Sequence, residues 1–141
     1  MSNFASVEAE QAVLGSMLID SGCVRRVAAI LRESDFSVAL NQDLYRVIVT
    51  MDRDGQPIDG LTVCAEALRQ SLAEEKTLRK YLAQLMEITP TAANVEMYAD
   101  IVARTARRRE LKTALEDGLT ALADQTPEDQ VLAQLDAAMT A

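Results

Sequence analysis

Residues 92–123 read AANVEMYADIVARTARRRELKTALEDGLTALA. No proline interrupts them, and the stretch is predicted to be one helix from near Ala92 to about Ala123. At ~1.5 Å per residue such a helix is a rod on the order of 45 Å long, more than a small globule needs across its own core. Its apolar stripe changes direction along the way. Val95, Tyr98, Ile101, Val102 and Thr105 share one face of the first half, while Leu111, Leu115, Leu119 and Leu122 share a face of the second. Stepping ~100° per residue, the second stripe lies roughly 100° around the helix from the first. One helix therefore faces two neighbours: its first half is expected to pack on a globule and its second half to project.

The residues after this helix give the projecting half a companion. Asp124-Gln125-Thr126 reads as a short turn, and Thr126-Pro127-Glu128-Asp129 as a helix start, with a cap, a proline at the first helical position and acids in the first turn. The last helix is expected to put Val131, Leu132, Leu135 and Met139 on one side, forming an antiparallel helical hairpin with the rod. Isolated short helices are marginal in water. Two thin stripes bury little area, so a second copy of the chain is the simplest completion. The expected organisation is a helical globule over residues 1–105 and an oligomerisation hairpin over 106–141.

Upstream, apolar residues recur at helical spacing and no strand signal or internal repeat is present. A first helix is expected over Val7–Asp20, with Val13, Leu14, Met17 and Leu18 on one face. Glu10 falls on that same face. It either favours the helix start through the macrodipole or is a semi-buried carboxylate with a fixed partner. After Ser21-Gly22 comes a short helix with Val24, Val27, Ile30 and Leu31 inward, then a loop over 32–40. Asn41 is read as the cap of a third helix carrying Leu44, Val47, Ile48 and Met51. That helix ends in Asp52-Arg53-Asp54-Gly55-Gln56-Pro57. A fourth is expected to start at Thr62, and a fifth to hold Leu78, Tyr81, Leu82, Leu85 and Met86 before Thr89-Pro90-Thr91 stops it. The fold class is all-α: a compact bundle of about five or six helices followed by a protruding antiparallel hairpin.

Composition narrows the function classes. The 141 residues suit one domain with a real core, and 49% of them are hydrophobic, too many for a disordered chain. Aromatics are 4% with no Trp, so the core is aliphatic. The net charge of −8 argues against a general nucleic-acid binder, because neutralising phosphates needs a basic surface. No apolar run approaches the ~20 residues of a membrane span, and the N-terminus lacks a signal peptide's basic segment, so a cytoplasmic location is expected. Cys23 and Cys64 lack zinc-site spacing and sit in apolar helical patterns as small hydrophobes. There is no histidine, no Gly-rich phosphate loop and no metal-ligand spacing among the acids, so this chain alone is expected to carry no catalysis and no cofactor.

One dense basic run stands out. Arg104, Arg107, Arg108, Arg109 and Lys112 are five of the 14 basic residues, with Arg104 and Arg108 on the side of the second leucine stripe. Three readings remain open: a solvated face whose stems cover apolar surface, ion pairs at an interface, or contacts to a DNA backbone.

Three blocks in series carry a family resemblance. Val7-Glu8-Ala9-Glu10-Gln11-Ala12-Val13-Leu14-Gly15-Ser16-Met17-Leu18 resembles the opening segment of the DnaB family of replicative helicases. Gly55-Gln56-Pro57-Ile58-Asp59, with Thr62 after it, resembles that family's G-x-P-I-D loop. Tyr81-Leu82-x-x-Leu85 and then Thr89-Pro90-Thr91-Ala92-Ala93-Asn94-Val95-x-x-Tyr98-Ala99-x-Ile101-Val102 are similar to its most distinctive stretch. The family often has a histidine where Asn41 stands here, and glycines where Glu74-Glu75-Lys76-Thr77 precede the Tyr-Leu pair. The resemblance implies a collar domain whose hairpins pair subunits into a dimer or a trimer of dimers. It also implies docking of primase and of a helicase loader, with ATP and Mg confined to a motor domain that this sequence does not contain. The candidate interface comprises Arg104, Arg108, Leu111, Leu115, Leu119, Leu122, Val131, Leu135 and Met139. A free-standing adaptor or decoy that binds a helicase or primase is the alternative.

Overall fold

The computed structural model describes residues 6–140, and among these there are seven α-helices and no strand. They are α1 (Val7–Ile19), α2 (Val24–Ile30), α3 (Ala39–Arg53), α4 (Gly60–Arg69), α5 (Glu75–Glu87), α6 (Val95–Ala123) and α7 (Glu128–Thr140). Five short helices and the first half of α6 make the bundle, and α7 folds back along the second half of α6.

Helix α1 is the centre of the bundle. It packs against α3, α5 and α6, and eight of its residues are buried, from Ala9 and Glu10 through Val13–Leu18. A helix wrapped on several sides has no polar face to spare, so its polar groups need internal partners. Ser16 Oγ donates to the Ala12 carbonyl at 2.7 Å. Ser6 caps the start, its Oγ accepting from the Ala9 amide at 3.4 Å. Gly15 lets the end of α5 lie directly on α1. A Cβ there would run into Thr89 Oγ1 and the backbone carbonyl of Leu85, which already hold each other in a 2.8 Å hydrogen bond.

Glu10 is a buried, partnered carboxylate, 1% exposed. It accepts from the Ser37 amide at 3.1 Å, from Ser37 Oγ and from Asn41 Nδ2 at 3.1 Å, and Tyr81 Oη donates to Asn41 Oδ1. This settles Asn41 differently from the sequence reading. It is not a cap: α3 begins two residues earlier, after Val38, and Asn41 is a fully buried link between α1, α3 and α5. Thr62 likewise stands inside α4, where Asp59 is the cap and the two exchange bonds of 2.8 and 2.9 Å. The 32–40 loop holds a 3-10 turn at Glu33–Asp35 and the first residues of α3, and α6 starts at Val95 rather than Ala92.

Three helices end in the same way. Gly55, Ser71 and Gln125 all have positive φ, and the chain at each turn closes back onto the helix with two bonds, as in Thr126 N to Ala121 O at 2.9 Å and Gln125 N to Leu122 O at 3.1 Å. Two of the three lack glycine, so the double hydrogen bond offsets a strained backbone there.

The expected core faces are in place. Leu44, Val47, Ile48 and Met51 of α3 and Leu78, Leu82 and Leu85 of α5 are buried, as are both cysteines. In α6 the buried line is Val95, Ala99, Val102 and Ala106, with Tyr98, Ile101 and Thr105 only half-buried at its edge. The alanines, invisible to a search for large apolar residues, let α6 sit closer to α1. Phe36 stacks on Tyr45 with ring centroids 4.7 Å apart, and Tyr45 Oη donates to the Leu31 carbonyl at 2.8 Å.

Gly15→Ala should lower stability by roughly 2–3 kcal/mol, since the methyl meets backbone that cannot step aside, read from urea unfolding by circular dichroism. Burial, and after it the nearby Asp35 carboxylate, pushes the Tyr45 phenol up to about 12. Its neutral form is favoured by the fold, so this contribution is complete below pH ~10 and disappears as pH rises toward 12. Tyr45→Phe should flatten that part of the alkaline unfolding curve while costing about 1 kcal/mol at neutral pH through the unmatched Leu31 carbonyl.

Candidate functional site

The second half of α6 leaves the globule at a defined place. Ala106, 1% exposed, is the last residue of the helix buried on the bundle, and the next buried position is Gly118, where α7 packs. Between them lies the basic run. Arg107 Nη1 donates to Asp35 Oδ1 at 3.2 Å and Arg109 Nη2 to the Asp35 carbonyl at 2.7 Å. Arg32 Nη2 reaches Glu110 Oε1 at 3.1 Å, and Lys112 pairs with Glu116 one turn on at 3.1 Å. Asp35 itself is completely buried. Two guanidiniums of the run are thus turned onto the chain's own 3-10 turn, while Arg104 and Arg108 are exposed.

The hairpin seam is built from small residues. Leu135 lies over Gly118, close enough that a Cβ there would meet its Cδ2 at 3.5 Å, and Val131 is buried, 4% exposed. Ala114 and Ala138 line the same small cavity as Gly118 and Leu135, which fixes the two helices as antiparallel. The turn between them is the Gln125 motif, with α7 opening where the Val131 amide donates to the Pro127 carbonyl at 3.1 Å.

With Ala114 and Gly118 facing α7, the leucines stay outside. Leu111, Leu115, Leu119 and Leu122 are 48, 53, 69 and 51% exposed. Arg104 and Arg108 are exposed on the same side of α6. In α7 the expected single face splits: Val131 and Leu135 point into the seam, while Leu132 and Met139 remain 64 and 72% exposed. Val131 thus holds the hairpin together from inside instead of presenting itself outward. The seam was legible in the Ala114-x-x-x-Gly118 spacing, since small residues four apart share a helix face. The role of Asp35 carried no sequence signal, because its partners on α6, Arg107 and Arg109, lie more than 70 positions away. Among the described residues no group of acidic, cysteine or histidine side chains could hold a metal ion, and no helix is long and apolar enough to cross a membrane.

The sequence profile of the DnaB-like helicase N-terminal domain matches residues 2–104. The chain belongs to this family. It is 39% identical over 119 residues to the replicative DNA helicase DnaB of Geobacillus stearothermophilus, covering 82% of this chain and 26% of that one. To the DnaB of Mycobacterium leprae it is 40% identical over 106 residues, 75% of this chain and 18% of the other. The chain thus spans about a quarter or less of these relatives. The crystal structure of the N-terminal domain of DnaB helicase from Mycobacterium tuberculosis superposes with a TM-score of 0.87 at 31% identity, covering 97% of each chain. That likeness runs past residue 104, where the family profile stops, and so takes in the hairpin segment of this DnaB-like domain.

The two buried glycines should respond oppositely to the same change. At Gly118 a methyl finds ordinary contact with Leu135, so Gly118→Ala should raise stability by about 0.5–1 kcal/mol through helix propensity and a stiffer unfolded chain. Gly118→Leu should instead drive α7 off α6, seen as faster amide hydrogen exchange confined to α7.

Proposed function

We propose that this chain is the collar domain of a hexameric replicative DNA helicase. In this reading the hairpin beyond Thr105 pairs two copies, dimers close into a trimer of dimers, and the collar docks primase or a helicase loader. Strand separation, with its ATP and Mg, belongs to a motor outside this sequence. The collar itself carries no reaction and works in the cytoplasm.

The observation that carries the reading is the exposed leucine stripe of α6. Four leucines at helical spacing, each about half or more exposed, lie turned away from the chain's own seam. Each would contribute on the order of 1 kcal/mol on losing its remaining water contact. Eight such side chains across a two-fold interface give a gross gain comparable with the cost of association, of the order of 4–15 kcal/mol. Leu132 and Met139 add apolar surface to the same arm.

Charge supports an antiparallel pairing of arms. The root carries Arg104, Arg107, Arg108, Arg109 and Lys112, while beyond Lys112 the chain has Glu116, Asp117, Asp124, Glu128, Asp129 and Asp136 and no base. Side by side in the same direction, two acidic tips would repel. Reversed, each tip lies by the other's basic root, an arrangement that favours interface ion pairs over DNA contacts for Arg104 and Arg108.

Light scattering after size exclusion tests the pairing. The chain should run as a dimer or larger at tens of micromolar. Leu119→Asp, and separately Leu115→Asp, should convert it to monomer with at least about a hundredfold weaker association, because a carboxylate would be desolvated in the interface. Helical content and the unfolding of the globule should be unchanged. A wild-type monomer at high micromolar concentration would sink the reading.

A further inference from the structure

The 3-10 turn that receives Arg107 and Arg109 has no role in the function proposed above, yet it is among the most heavily bonded segments of the domain. Asp35 Oδ2 accepts the Arg32 amide at 2.9 Å and Oδ1 accepts Arg107 Nη1 at 3.2 Å, while the Asp35 carbonyl accepts Arg109 Nη2 at 2.7 Å. Glu110 ties the outer ends together, 3.1 Å from Arg32 Nη2 and 3.3 Å from Arg107 Nη1. The bundle in its own right holds the turn in place. Phe36, the next residue, is fully buried on Tyr45, and Glu33 pairs with Arg46 of α3 at 2.9 Å. Ser37 comes directly after Phe36, bound to the buried Glu10.

We propose that the Asp35 turn is a clamp that sets the roll and tilt of the hairpin on the globule. Arg107 and Arg109 are two residues apart, so their side chains leave the helix about 200° from one another. Both nevertheless end on one residue. They straddle the turn and resist rotation of α6 about its axis in either sense. The clamp occupies the interval between Ala106, the last residue buried on the bundle, and Gly118, the first buried on α7. There it bears on which way Leu111, Leu115, Leu119 and Leu122 face, together with the Arg32–Glu110 pair and the stiffness of the helix. Its worth differs from that of an ordinary surface pair, because the acceptor is completely buried while the two guanidiniums are partly exposed. Losing the charged partner of a buried carboxylate is costly, so Arg107 is held where side-chain entropy would otherwise release it, and Arg109 adds a bond to the Asp35 carbonyl.

The clamp needs no second copy. Only its consequence, that it fixes the angle between two paired globules, rests on the pairing proposed above, and the mass of the same samples reports that pairing separately. The test is the backbone amide residual dipolar couplings of the whole chain and of Arg107→Gln/Arg109→Gln. In the wild type one alignment tensor should fit α1–α5 and α7 together. In the double variant the α1–α5 couplings should keep their mutual fit while α7 requires a second tensor. One tensor still fitting both, with the globule intact, would overturn the proposal and assign the hairpin's direction to helix stiffness and the remaining Arg32–Glu110 pair. Should the double variant disturb α1–α5, Arg107→Gln alone, which removes a half-exposed side chain, is judged by the same criterion.

Discussion

An unbroken helix of 29 residues must satisfy a globule at one end and another helix at the other, and most of this domain derives from that demand. The first half is committed by close packing. Val95, Ala99, Val102 and Ala106 are the buried line of a half that packs on α1 and α2, with alanines where larger residues would push the helix away. The second half is committed by Ala114 and Gly118, which admit α7 just as closely. In both halves the tight contacts are made by small residues and the large ones are displaced to the side. That displacement is what leaves a row of leucines on the outside of the arm.

The globule's end of this arrangement depends on an unusual degree of internal polar bonding. Glu10, Asn41 and Asp35 are all at most 1% exposed, and among the described residues no buried side-chain nitrogen or oxygen lacks a partner. A half-satisfied buried network would be worse than an apolar one. A complete one specifies geometry, because each group accepts only a narrow range of positions for its partner. Here the bonded groups succeed one another along the chain: Glu33 to Arg46, Asp35 to Arg107, Ser37 to Glu10. The segment between α2 and α3 therefore ties α1, α3 and α6 together in five residues, although it reads from sequence as an ordinary loop.

How far the sequence could be read depends on which interactions are local. Helix periodicity, the turn at Gly55, the proline after Thr89 and the change of stripe in residues 92–123 are set by neighbours a few positions away, and each is found in the structure. Asn41 shows the limit. Its residue type fits a cap, but the cap signal cannot see Glu10 or Tyr81, 31 and 40 positions distant, and those partners decide its place. Glu10 is the same case from the other side. The exposed row of α6 was visible as leucines, whereas which of the α7 residues face inward depended on where Gly118 puts the axis of α7. Asp35 could not have been singled out at all.

The family profile ends at residue 104, and the structural likeness to the M. tuberculosis domain continues beyond it. A profile weakens where many sequences can do the same job. A hairpin arm needs small residues in its seam, leucines on its outside and charges that do not repel its partner, and many sequences meet those terms. The bundle has fewer options: Gly15 must lack a side chain, and Glu10 needs both Ser37 and Asn41. The boundary between the two regimes falls where α6 passes from Ala106 to Arg107, from contacts dictated by shape to contacts dictated by charge. The outer face of the arm can then change in sequence without disturbing the packing of the globule.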